Sequence, residues 1–132
     1  MAYFDDLTPY AYGGGEPNPA ILNVGWLSSS HVFAKRTPDE DFVAALRRLV
    51  ATPVNLYRGR HYCEFCPRPQ FSRSATGAVS IVERDCAWGN GEIRVKENEG
   101  LVYVAPTLVL HYVEEHHYAP PEVFVRAVQR AL

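Results

Sequence analysis

The chain has 132 residues, 47% of them hydrophobic and 21% charged, with a formal net charge of −2. That length suits a single domain, residues 1–132, with a core that needs no disulfides, and the slight acidity excludes a whole-surface attraction to nucleic acid or anionic membrane. No eighteen-residue apolar run occurs, and "MAYFDDLTPY" has two aspartates where a leader would have cations and then an apolar stretch. The sequence therefore predicts no membrane span and no signal peptide, and a cytoplasmic protein.

Residues 1–20, rich in Gly, Pro and Asn through "YGGGEPNP", read as an irregular N-terminal arm whose aromatics Tyr3, Phe4, Tyr10 and Tyr12 lie against the domain. "ILNVGWL", residues 21–27, reads as the first strand, followed by the polar loop "SSSH". Thr37, Pro38 and Glu40 form a capping box with proline at the first helical position. The helix they open carries Phe42, Val43, Leu46, Leu49 and Val50 on one stripe, has Arg47 and Arg48 near its negative end, and cannot pass Pro53. "VNLYR", residues 54–58, reads as a strand leading to His61, Cys63 and Cys66, and "AVSIVER" as another after the loop "PRPQFSRSATG". "EIRVK" and "LVYVA" alternate apolar and polar residues on either side of "ENEG", where Gly100 permits a tight connection, and so predict a hairpin. Pro106 is placed to open a helix through "TLVLHYVEEH" that stops near Tyr118, before "APP". A last helix starts at Pro120 or Pro121 with Val123, Phe124, Ala127, Val128 and Ala131 on one face. The fold class predicted is α+β: a small, mainly antiparallel sheet, one helix after the first strand and two C-terminal helices.

"GRHYCEFCPRPQ" contains two of the three cysteines, Cys63 and Cys66, at the C-x2-C spacing that holds two thiolates on one side of a metal ion. A second pair of donors comes from His111 and His116, H-x4-H on the penultimate helix, with 44 residues between Cys66 and His111. Such a gap is too long for a compact zinc finger and suits a zinc ion that staples two distant elements. Residues five apart on an ideal helix point about 140° apart, so both imidazoles reach one ion only if the helix tightens or ends near His116. His61, two residues before the first cysteine, is the alternative ligand, and Cys86 a weaker candidate with no ligand partner beside it. A redox pair opening a helix is opposed by Pro67 and Pro69, and two thiols that merely fill space are the remaining reading.

Four protein ligands would close a tetrahedral zinc and leave no coordination position for water, which favours a structural site over a catalytic one. "HYVEEH" is not the H-E-x-x-H of a zinc protease helix, and Glu114 and Glu115 read as a solvated face. A metal-dependent enzyme follows only if one histidine is not a ligand and water replaces it. Arg58, Arg60, Arg68 and Arg73 interleave with Tyr57, Tyr62, Phe65 and Phe71 as in single-strand binders. The patch is local and the chain acidic, which weighs against nucleic acid as the partner. No nucleophile-and-base set and no phosphate-binding loop is legible.

Taken in order, "NVGWL", "RGRHYCEFC", "GNGEIRV" and "YVAPTLVLHYVEEHHYAPPEVFVRAV" resemble a family of small bacterial proteins over nearly the whole chain, the C-terminal block being the most specific part. The resemblance implies a bacterial single-domain protein carrying the H-x-C-x2-C and H-x4-H segments and brings no established activity with it. It gives Cys86 no support. Joined to the metal reading, it leads to the expectation of a non-enzymatic protein-binding, adaptor or immunity-type module whose partner is another bacterial protein.

Overall fold

The computed structural model describes residues 3–11, 16–56, 61–66, 71–77, 79–81, 87–98 and 100–131. In chain order its elements are β1 (Pro9–Tyr10), β2 (Asn18–Asn23), α1 (Glu40–Val50), β3 (His61–Tyr62), β4 (Phe71–Arg73), β5 (Val79–Ile81), β6 (Trp88–Gly89), β7 (Glu92–Asn98), β8 (Leu101–Pro106), α2 (Val109–His116) and α3 (Glu122–Arg130). The architecture is α+β, as the alternation and capping signals require.

The predicted hairpin is the antiparallel pair β7–β8, in register from Glu92 opposite Pro106 to Asn98 opposite Leu101, with an irregularity between Lys96 and Asn98. Strand period two explains its faces: Ile93 and Val95 are buried while Arg94 and Lys96 are exposed. β8 is central in the four-stranded sheet of order β1-β2-β8-β7, and β2 runs parallel to it. Flanked on both sides, β8 is buried from Tyr103 to Pro106. Two short ribbons, β3–β6 and β4–β5, stand apart from this sheet.

α1 packs against α2, α3 and β7, and α3 packs against β7. α1 buries Phe42, Ala45 and Leu46, residues three and four apart on one stripe, and α3 buries Phe124, Ala127 and Val128 in the same way. Phe124 meets Phe42 and Tyr103 edge to face, with ring centroids 6.4 and 6.0 Å apart, so α3 joins α1 to the sheet. An ion pair of 2.7 Å from Arg47 to Glu114 links α1 to α2.

Several boundaries differ from the sequence reading. α1 begins at Glu40 with Asp39 as its cap, two residues after the capping box at Thr37 anticipates; the Asp39 carboxylate accepts from the Asp41 amide, and Pro38 precedes the cap. The N-terminal arm is not wholly irregular, since β1 lies in it and β2 starts at Asn18. Residues 24–27, predicted as strand, form no strand. Val24 still bonds Val104, and Gly25 then turns the chain at φ 78°. Val54 makes only an isolated bridge to Glu92. Pro106 closes β8 instead of opening α2, whose cap is Leu108.

The arm does lie against the domain. Asp6 accepts hydrogen bonds from the Gly25 amide (3.0 Å) and the buried Tyr118 hydroxyl (2.7 Å), and Phe4 packs edge to face on Trp26. Trp26 donates from its indole to the Val104 carbonyl at 3.0 Å. Gly25 is required by space as well as by φ, because a Cβ there would lie 2.8 Å from Cγ2 of Val109. Strand-to-loop exit and the start of α2 are therefore packed at the closest distance a chain permits.

Candidate metal centre

The C-x2-C turn follows the two-residue strand β3, which is held by β6 through pairing of His61 with Gly89 and Tyr62 with Trp88. Cys63 continues this tie, its amide donating to the Ala87 carbonyl at 2.8 Å. Between the cysteines, the Glu64 carboxylate accepts from the Ser29 amide and hydroxyl, both at 2.9 Å, and from the Ser28 hydroxyl at 3.3 Å. These donors, the Ser29 amide foremost, hold the Glu64 carboxyl below the ordinary glutamate range. The turn is thereby anchored on both flanks, by a backbone bond on one and a carboxylate clamp on the other.

α2 carries the histidines. His111 lies in its first turn and His116 is its last residue; His117 then adopts the left-handed conformation, φ 57°, and its amide bonds the Tyr112 carbonyl. The Tyr118 amide reaches the same carbonyl at 3.0 Å, completing a left-handed helix stop. The helix thus ends where the two-histidine geometry requires.

The outcome is convergence. Sγ of Cys63 and of Cys66 lie 3.3 and 3.5 Å from Nε2 of His116, Sγ of Cys66 lies 3.2 Å from Nε2 of His111, and the two Nε2 atoms are 3.2 Å apart. All four donor atoms fall within 4.8 Å of one another. A tetrahedron with metal–sulfur bonds of about 2.3 Å and metal–nitrogen bonds of about 2.0–2.1 Å has S···N edges of about 3.6 Å and an N···N edge of about 3.3 Å. The observed edges match these to within a few tenths of an ångström, so the residues fit a four-coordinate ion, and the cluster could hold one.

Electrostatics agree with a site that wants a cation. Burial, with the neighbouring Cys66 as a lesser cause, pushes the Cys63 thiol up to about 12. Burial likewise lowers both histidines, His111 being lowered further by the proximity of His116. Neutral imidazoles bind metal directly, and a divalent ion would reverse the penalty on the thiols. Phe65 shields the cluster, its ring centroid 5.3 Å from that of His116, 5.9 Å from Tyr112 and 5.2 Å from Phe33.

His61, the alternative ligand, is outside the group. It lies half-buried on β3, lowered by burial and near enough to Glu64 for the carboxylate to oppose that shift. Cys86 lies outside the described residues, as do Tyr57, Arg58, Arg60 and Arg68 of the basic and aromatic patch. Of the rings in that patch, Phe65 is committed to packing instead of standing free for a base. Glu115 is exposed and Glu114 pairs with Arg47, so no carboxylate enters the donor group among the described residues. The clamp of Glu64 on Ser28 and Ser29 escapes a sequence reading: the only cue is a serine cluster, and nothing in its spacing names the acid 35 positions away.

The chain belongs to the family described as Domain of unknown function (DUF7919), whose family model matches residues 2–129. No curated protein and no solved structure gives a significant match. Among the described residues, no helix is long and apolar enough to cross a membrane.

Proposed function

We propose that Cys63, Cys66, His111 and His116 bind one structural zinc ion, and that the domain is a non-enzymatic protein-binding or adaptor module, of the immunity type, for another bacterial protein in the reducing cytoplasm. The observation that carries the metal assignment is the set of Nε2 and Sγ atoms that all lie within 4.8 Å of one another, with four of their separations at 3.2–3.5 Å. Two thiolates and two imidazoles are a donor set that zinc prefers among the common divalent ions. They also fill all four tetrahedral positions, which supports a stapling role over the activation of water. The binding reading draws support from apolar side chains left at the surface, among them Val32, 99% exposed, and Trp88, 46% exposed.

Elemental analysis of the chain purified without added metal tests the assignment. About one zinc per chain is expected, with a cobalt-exchanged sample showing the intense visible bands of tetrahedral Cys/His coordination. A metal-free protein with inert thiols would overturn it, and a site of three protein ligands with water in the fourth position would turn the reading toward a metal-dependent enzyme.

A further inference from the structure

Left-handed backbone converges on one carboxylate near the start of the chain. Among the described residues, the non-glycine positions with positive φ are Leu7, Asn55 and His117, at 64°, 50° and 57°. Two of them flank a single hydrogen bond: Leu7 follows Asp6, His117 precedes Tyr118, and the Tyr118 hydroxyl donates to Oδ2 of Asp6 at 2.7 Å. Oδ1 of the same carboxylate accepts from the amide of Gly25, whose own φ is 78°.

Residues 5–7 are exposed, and the main-chain bonds that tie this segment to the rest of the chain end on residues 23–26: Phe4 to Trp26 at 3.3 Å, Leu7 to Asn23 at 2.6 Å and Asn23 to Thr8 at 2.8 Å. The Tyr118 hydroxyl ties the same segment to the end of α2. A left-handed leucine is unfavourable because its Cβ crowds the following carbonyl, so the conformation lasts only while the neighbouring bonds outweigh its cost. A second state is therefore within reach, in which Leu7 relaxes to extended backbone and the Asp6 bonds are open. On the far side of the bond, Tyr118 stands two residues past His116, and its amide and that of His117 share the Tyr112 carbonyl. A metal ion held by His111 and His116 would fix both ends of α2, and with them the left-handed exit that brings the Tyr118 hydroxyl to Asp6.

We propose that residues 3–8 form a strap whose Asp6–Tyr118 latch is linked to the metal: the strap lies on residues 23–26 when the site is filled and lifts when it is empty. Lifting breaks the bonds of Asp6 to Gly25 and Tyr118 and takes Phe4 off the Trp26 ring, which it meets edge to face at 5.6 Å. The linkage is reciprocal, so a latched strap raises the affinity for the ion by the factor by which the ion favours the latch. Resting on the metal reading, the strap adds regulation to it.

The test follows the full chain by amide hydrogen exchange in buffered zinc and in excess chelator, and measures zinc affinity by competition with a chromophoric chelator, for the wild type, Asp6→Asn and Tyr118→Phe. Asparagine leaves one acceptor oxygen where Asp6 uses two, and phenylalanine keeps the ring of Tyr118 without its hydroxyl. In chelator the wild-type amides of Phe4, Leu7 and Gly25 should exchange about tenfold faster than in zinc while Ile93 and Val95 of the hairpin stay protected. Each variant should bind zinc about tenfold more weakly and show the fast amides even in zinc. Strap amides indifferent to chelator, strap and hairpin amides exchanging at one common rate in chelator, or variants with wild-type zinc affinity overturn the linkage. Zinc content separates the two readings. A wild-type chain that takes up no zinc overturns the metal assignment and the latch together, whereas a chain that binds zinc with its strap unmoved overturns only the latch.

Discussion

Removal of one thiolate should cost the fold what the staple contributes, and the structure gives the size. Cys63 and His116 are 53 positions apart, and their donor atoms meet at 3.3 Å. Closing a loop of that length by a permanent cross-link removes unfolded-state entropy worth about 4 kcal/mol at room temperature on the chain-entropy account. Mass action gives a figure of the same size: zinc buffered at a thousand times its dissociation constant adds about 4 kcal/mol to the folded state. Cys63→Ser should therefore lose about 4 kcal/mol in zinc-buffered solution, a large part of the roughly 5–15 kcal/mol that holds most domains folded. The assay is urea unfolding of both proteins, each in buffered zinc and in excess chelator. The wild-type midpoint should fall on chelation, the variant's should not move, and the two curves should approach each other without metal. Superimposed wild-type curves with and without chelator would refute the reasoning, as would a Cys63→Ser protein that keeps the full zinc-dependent gain.

Gly25→Ala should lose about 2–4 kcal/mol, because alanine resists φ 78° and its Cβ would press to 2.8 Å from a methyl of the buried Val109; urea midpoints with an unchanged slope would show it, and a loss under about 1 kcal/mol would contradict it. Glu115→Gln, at an exposed side chain with no ion pair among the described residues, should change stability by no more than about 0.5 kcal/mol and leave zinc content unchanged. The Tyr103 phenol is raised to about 12, first by burial and then by its 2.8 Å bond to Glu97, against 10.0 for a free tyrosine. A raised folded-state value means stability fully present below pH 10 and lost as pH climbs through about 12. Tyr103→Phe should lack that fall, so the stability gap between the two proteins should narrow from pH 10 to 12 in urea titrations; a constant gap would argue otherwise.

What could be read in advance follows from how local each signal is. The β7–β8 hairpin and the apolar stripes of α1 and α3 announce themselves because their periods of two and 3.6 are written in adjacent residues such as Ile93, Val95, Phe42 and Leu46. The donor group was legible for a different reason: Cys63 with Cys66, and His111 with His116, are each close in sequence, and only the meeting of the two pairs required the fold. Starting points of elements were less legible. Asp39 displaced Thr37 as the cap of α1, and Pro106, a good first helical residue, was drawn into β8 opposite Glu92. In both cases local preference left two registers nearly equal, and packing chose between them. Contacts such as Asp6 with Tyr118, or Glu64 with Ser29, join single polar residues across long separations and leave no periodic trace.

A metal staple would also resolve a weakness of the helix that carries the histidines. α2 has eight residues, no side-chain cap at its N-terminus and no acidic residue in its first turn, and a helix so short is marginal without tertiary support. Its buried side, Val109, Tyr112 and Val113, supplies part of that support. The histidines lie off this stripe, one at each end of the helix. Five residues of ideal helix would point His111 and His116 about 140° apart. The Nε2 atoms are nevertheless 3.2 Å apart, with His116 the last helical residue and the left-handed His117 directly after it. An ion gripped by both imidazoles would fix the first turn and the last together, and would fix both to a cysteine turn held by Glu64 and Ala87. The short helix and the short strand β3 are thus each too small to be firm alone, and one shared ion would give each of them the other as a support.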